Sequence, residues 1–554
     1  MNRAFFAAST LALAVAMPAQ ANEVTTESIP NLRILNDSTT GWVRNFNPWV
    51  GGRTNFAYES LVIFSQLDSS DVHPWLATGY ELSEDMKMIT VNLREGVKWS
   101  DGVDFTADDV VFSYTYPTKH PEIDGAGMAN RIEKIVKIND HKVEIHLPEA
   151  NAFAAEDIIG EGVRMIPKHI WSEIDSPAAF VNDNPVGTGP FTEIQRFTPQ
   201  VYIQCRNPHY WNKDLEINCL EFPQYSSNDA ALEMLSKGEI DWAGIFIPDI
   251  ERTFVAKHPN NKYWFPSNDG VRIAMNYNTK NEAASEAFSD LNFRRAMNLS
   301  MDREAMIMIG AYGYVEGGNP ATNLPKTHWS WRDEQADESW NQLYRYDVKA
   351  AKAELEKGGF KDTNGDGFVE TPSGKKLSFR IQVPSGWSDW VNNVGIAVEG
   401  LRMAGINANI ITPEVNAYAQ NWANNDFEAT MAAGTIQSSA WRFYDQTMHS
   451  RYADTGIWWS TSMHNYTSDD LDNLIESLGK TRDVEKQKEL GAQIERIYAE
   501  QAVQVPLYYN GVWYVYNDSR FEGWASADNP FVLPAPFEGM DRLIHIMNLK
   551  PRVQ

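Results

Sequence analysis

"LREGVKWSDGVDFTADDVVFSY", residues 93–114, ends a strand, makes a turn and opens a helix. Ile89, Val91 and Leu93 alternate with polar residues on the way in, the period of a strand with one buried face. Asp101-Gly102 supplies a tight turn, and Thr106 is the N-cap of a helix carrying Val110 and Val111. Every group in the stretch has a structural use, and none is poised to break a bond.

The same two grammars recur outward from it. Val143, Ile145 and Leu147 in "KVEIHL" (142–147) repeat the strand period. Helical spacing dominates later: "TSDDLDNLIESLGK" (467–480) has Leu471, Leu474, Ile475 and Leu478 on one face, Ser468 as cap and Gly479 as stop. "DVEKQKELGAQIERIYAEQ" (483–501) and "YDVKAAKAELEKGG" (346–359) are further helices, and "VQVPLYYNGVWYVYN" (503–517) returns to strand composition. Mixed α and β with no internal repeat argues against solenoids and propellers. With 554 residues, 43% of them hydrophobic, the chain is too long for one core and is expected to form two or more domains.

Arg3, an apolar run from Phe5 to Met17 and Ala19-Gln20-Ala21 make a signal peptide over residues 1–21, with the mature chain starting near Asn22. The run is shorter than the ~20 residues a membrane-spanning helix needs, and no cysteine sits at the cut to take a lipid anchor. A soluble protein released into a Gram-negative periplasm is expected. The formal charge of −26 repels phosphate backbones and anionic lipid heads, which excludes nucleic acid and the membrane surface as partners. The two cysteines, Cys205 and Cys219, fit a disulfide in an oxidising compartment, the alternative being two buried thiols.

Signatures of catalysis and of cofactors are absent: no GxxxxGKS/T phosphate loop, no GxSxG elbow and no HExxH zinc helix. "GAGMAN" (125–130) lacks the third glycine of a dinucleotide loop and reads as a loop. In "DTNGDGFVE" (362–370), Asp362, Asn364 and Asp366 copy the first half of a calcium loop, but the twelfth position is Ser373 instead of a bidentate Glu, and Leu377 and Phe379 read as a strand. An Asx-rich turn is the preferred reading, with calcium as the weaker one. Paired carboxylates are unavoidable among 74 acidic residues, so they are poor support for a secreted glycosidase. No enzyme and no cofactor is expected.

Four more stretches follow residues 93–114 in order: "NPVGTGPF" (184–191), "NPHYW" (207–211), "KGEIDWAG" (237–244) and "NFRRAMNLSMDREAM" (292–306), the last an amphipathic helix with a basic face. Together they resemble the large substrate-binding proteins of ABC importers, the dipeptide- and oligopeptide-binding class known as solute-binding protein family 5. The resemblance implies an α/β, two-lobed periplasmic binding protein fold (a Venus flytrap) with an extra subdomain in lobe I. Lobe I would hold residues 22–270 plus 517–554, its subdomain about 65–185, and lobe II 271–516, with 271–278 and 511–517 as hinge strands. It implies an inner-membrane permease and its ATPase as partners, a sensor protein as a further one, and a monomer.

"VRNFNP" (43–48), "YIQCRNPHYW" (202–211), "CLEFPQYSSND" (219–229), "IPDIERT" (247–253), "VPSGWSDW" (383–390) and "RFEGWASADNP" (520–530) resemble in particular the binders of β-linked oligosaccharides, of the chitooligosaccharide and cellobiose types; the cysteine pair is part of that pattern. The likeness implies Trp387 and Trp524 as plates for sugar rings facing each other across the cleft, and Asn228 as a hydrogen-bonding partner, with Arg44 and Asn45 from the first stretch. A pyranose has a flat C–H face for an aromatic plate and hydroxyls for amides and arginines, whereas a peptide needs anchors for its termini. Core packing accounts for most of the 19 tryptophans, but Trp387 lies on a Gly/Ser turn. "ATMAAGTIQSSAW" (429–441) departs from the chitin-binding pattern, with Ala432, Ala433 and Gly434 where an asparagine and an aromatic are expected. This leaves cello- or other β-glucan oligosaccharides ahead of chitin fragments, with Gln437, Arg442 and Tyr444 as substitute contacts, and peptide as the main alternative.

Overall fold

The computed structural model describes residues 29–36, 43–50, 56–68, 70–124, 127–160, 162–318, 321–434, 439–453, 464–537 and 539–552. Residues 1–21, expected to be a signal peptide, and Gln437 lie outside the described residues.

Two sheets organise the chain. One has seven strands in the order Asn261–Tyr263, Val515–Asn517, Trp242–Ala243, Leu32–Leu35, Cys219–Pro223, Val201–Arg206, Phe191–Phe197. The other has five, in the order Ala408–Ile411, Phe379–Gln382, Ala429–Ala433, Ser267–Met275, Val505–Gly511. We call the bodies around them lobe I and lobe II. A four-stranded antiparallel sheet, Ala77–Leu82, Met88–Leu93, Lys142–His146 and Lys134–Asn139, forms a subdomain that shares one apolar core with lobe I. Its buried Ile89, Val91, Val143 and Ile145 are the alternating positions of the sequence pattern. The helix of the opening stretch runs from Ala107 to Lys119 with a full capping box: Asp108 N donates to Thr106 Oγ1, and Thr106 N donates to the Asp109 carboxylate.

The chain passes between lobes at residues 264–266 and 512–514, the segments that link Tyr263 to Ser267 and Gly511 to Val515. The two passages are bonded to each other, Trp264 N to Tyr514 O and Val512 N to Pro266 O, and Phe265 meets Trp513 edge-on at 4.9 Å. Residues 271–273 are therefore not a free hinge strand; they pair on both sides inside the lobe II sheet, and Ala274 and Met275 continue the pairing with Ala429–Ala433.

Cys205 and Cys219 face each other on adjacent antiparallel strands and are disulfide-bonded, which removes the free-thiol reading. The bridge closes a short loop, worth roughly 3 kcal/mol in the chain-entropy picture. The basic face expected of the helix Leu291–Leu299 is a second correction, because Arg294 is buried and donates to the carbonyls of Phe288, Ser289 and Gln501. Helix ends leave carbonyls without partners, and a buried guanidinium satisfies several at once. Among the described residues, no helix is long and apolar enough to cross a membrane.

Candidate ligand cleft

Trp387 stands where lobe II meets lobe I. The strand Phe379–Gln382 runs out into Pro384–Gly386, Trp387 N closes the turn on Pro384 O, and the helix Ser388–Met403 starts immediately after. The turn keeps Trp387 partly exposed at the rim of the lobe II core, with its ring edge-on to buried Trp390 at 5.0 Å and 80°. Of the two rings, Trp390 is buried and Trp387 is the more exposed. From lobe I, Asn228 begins the helix Asn228–Ser236 and reaches the same turn: its backbone N donates to Gly386 O (3.4 Å) and its side-chain amide to Ser388 Oγ (3.2 Å). Gly386 is needed for that approach, since a Cβ there would sit 2.8 Å from Ser226 O.

The other expected contacts are placed differently. Trp524 is 6% exposed, one face stacked on Tyr516 (5.0 Å, 25°), its edge towards His545, and its Nε1 donating to Phe521 O. It belongs to the lobe I core, because the tail after residue 517 folds back onto that sheet, and it is not presented on a loop as Trp387 is. Arg44 donates to Asp183 O (2.9 Å) and Asn184 Oδ1 (2.6 Å), and Asn45 Oδ1 accepts from Asn47 N and Asn182 N, so both fasten neighbouring turns of lobe I. Tyr444 is fully buried, and its hydroxyl donates to Glu495 at 2.7 Å. Burial pushes that carboxyl up to about 8, although the Tyr444 and Thr322 hydroxyls bond to it. Tyr444 is therefore a core residue of lobe II. Ala432 is likewise enclosed, against Tyr418 and Trp422, while Ala433 shares the rim with Trp387.

Arg442 ion-pairs with Asp157 of the lobe I subdomain, and Phe153 lies flat on Trp441 at 5.5 Å and 4°. This second seam was missed in the sequence. Its residues are ordinary charges and aromatics separated by nearly 300 positions, and no spacing rule joins them.

Asp362 accepts from Gly365 N and Gly367 N, Asn364 Oδ1 from Asp366 N, and Asp366 from Phe368 N while pairing with Lys376 at 2.9 Å. The would-be calcium ligands are thus fastened to their own turn, and no cluster of three or more metal-ligating side chains occurs among the described residues. The Asn364–Asp366 and Asp366–Phe368 bonds are Asx turns.

Residues 71–454 match the family described as bacterial extracellular solute-binding proteins, family 5 Middle. Among curated relatives, the oligopeptide-binding protein AppA of Bacillus subtilis is 26% identical over 437 residues, covering 76% of this chain and 75% of its own. The dipeptide-binding protein of Escherichia coli is 25% identical, over 83% of this chain and 86% of its own. Among solved structures, the mannohexaose-bound periplasmic oligopeptide-binding protein of an oligopeptide ABC transporter from Thermotoga maritima superposes with a TM-score of 0.87 at 24% identity, over 96% of this chain and 100% of that one. Its fold is the two-lobed α/β binding fold, and with the family match spanning more than half the sequence, this chain belongs to solute-binding protein family 5, whose members deliver ligands to ABC importers.

Proposed function

We propose that the protein captures a neutral β-linked oligosaccharide, a cello- or other β-glucan fragment ahead of a chitin fragment, between its lobes and hands it to an inner-membrane permease from the periplasm. The observation that carries this reading is Trp387, a partly exposed ring on a tight turn at the lobe boundary, with lobe I reaching the same turn through Asn228. A flat ring at the mouth of a two-lobed cleft suits the C–H face of a pyranose. Arg442 is engaged by Asp157 and does not stand ready for a peptide carboxylate. The mannohexaose carried by the Thermotoga protein is in keeping with a sugar ligand in this fold.

Peptide is the second reading, favoured by the names of the curated relatives. Titration with cellopentaose, laminaripentaose, chitopentaose, mannohexaose and a mixed peptide pool, followed by tryptophan fluorescence and melting temperature, separates the two. A ligand at 100 times its Kd adds about 2.7 kcal/mol of stability. A shift with a sugar and none with peptides supports the proposal; a shift with peptides alone overturns it.

A further inference from the structure

Four buried charges alternate in sign across the second seam. On the lobe I side, Asp157 lies in the short π-helix Ala155–Ile159, with Arg131 Nη1 2.5 Å away. On the lobe II side, Arg442 and Asp445 project from the helix Ala440–Met448. Arg442 pairs with Asp157, Arg131 lies 3.5 Å from Asp445, and the Tyr452 hydroxyl bonds to Arg131 while donating to Asp445 at 2.9 Å. Their side chains are 3% (Asp157), 10% (Arg131), 11% (Arg442) and 0% (Asp445) exposed. Each lobe thus brings one cation and one anion, so neither face carries a net charge from this set when the lobes part. The Phe153–Trp441 stack and a backbone bond from Ala152 N to Gly479 O (2.7 Å) join the lobes along the same seam.

We infer that Asp157 and Arg442, flanked by Arg131 and Asp445, form a latch that sets the balance between parted and joined lobes, and through it the affinity for ligand, without touching the ligand. Burial makes such contacts matter: an ion pair stripped of water and held by further hydrogen bonds couples strongly, whereas exposed pairs couple weakly. The same seam supplies the comparison, since Lys480–Glu149 joins the lobes with side chains 42% and 67% exposed. Arg442 is the clean member to remove, because Asp157 keeps Arg131 in its own lobe. If only joined lobes hold ligand tightly, apparent affinity falls in proportion to the joined fraction. The inference rests on the two-lobed fold and not on the oligosaccharide reading.

Small-angle scattering of the full chain without ligand tests it, on wild type, Arg442→Gln, Asp157→Asn, the double variant and Lys480→Gln, each first checked for a cooperative melt. Arg442→Gln is expected to lower the ratio of joined to parted molecules about tenfold, seen as a larger radius of gyration. The double variant should be no more open than Asp157→Asn, and Lys480→Gln should scatter like wild type. Should Asp157→Asn fail to fold, Arg442→Gln and Lys480→Gln decide alone. A folded Arg442→Gln that scatters as wild type, or Lys480→Gln opening as far as Arg442→Gln, overturns the latch.

Discussion

Asn228 of lobe I donates its side-chain amide to Ser388 Oγ of lobe II at 3.2 Å, one residue beyond Trp387. The contact ties the presented ring to lobe closure, since the turn carrying the ring is also the surface on which lobe I lands. Replacing Trp387 with alanine should weaken binding of the sugar that shifts the wild-type melt by about fivefold or more, from the ~1 kcal/mol an aromatic contact supplies. The melting temperature without ligand should fall less than for a fully buried tryptophan, because the ring is partly exposed. Isothermal titration beside a thermal melt checks both; wild-type affinity would remove Trp387 from the site.

At Gly386 the two lobes approach each other closely beside that ring. In joined lobes a Cβ would press to 2.8 Å on Ser226 O, a backbone atom of lobe I that cannot rotate away. The three atoms nearest that Cβ all belong to Ser226 and Ser227 of lobe I, so parting the lobes removes them. Gly386→Ala is therefore expected to weaken ligand binding several-fold while leaving the ligand-free melt unchanged or slightly raised, as alanine restricts the unfolded chain. Equal binding by Gly386→Ala and wild type would show that the turn shifts freely on closure.

Trp524 should behave in the opposite way to Trp387. It is 6% exposed and packed on Tyr516 and His545, so its truncation to alanine leaves a cavity in lobe I. The expected cost is about 3–5 kcal/mol of stability, read as a lower urea midpoint, with little loss of affinity in the fraction that stays folded. Retained stability with lost binding would return Trp524 to the role of a sugar plate.

The legible part of this protein was local. Strand alternation at Ile89 and Val91, the Thr106 cap and the Ser468 cap follow from neighbours within a few positions, and the structure has each of them. That Trp387 lies on a turn was legible from Pro384, Ser385 and Gly386, and the structure has Trp387 N closing that turn on Pro384 O. Trp524 and Tyr444 misled because an aromatic has the same letter whether it stacks on Tyr516 in a core or faces a cleft; only the path of the chain decides. Arg294 misled because helical spacing gives a face but not what packs against it. The Asp157–Arg442 pair was invisible for the same reason at longer range.

Glu495 gives the fold a pH dependence with a definite sign. It is 1% exposed on the helix Val484–Gln501, bonded to the hydroxyls of Thr322 and Tyr444, with Asp337 raising and Arg332 lowering its proton affinity; burial dominates and pushes it up to about 8. An unfolded glutamate titrates near 4.3. Below that value both states hold the proton, and the buried neutral acid costs nothing extra. Between roughly 4.3 and 8 the folded state still holds it while the unfolded state has released it, so stability falls as pH rises through this window, by an order of a few kcal/mol. Glu495→Gln keeps the shape and removes the titration. The stability of wild type minus that of Glu495→Gln, from urea unfolding at pH 5 and pH 8, should therefore decline by a few kcal/mol. Parallel curves for the two proteins would mean that the carboxyl is ionised in the folded state.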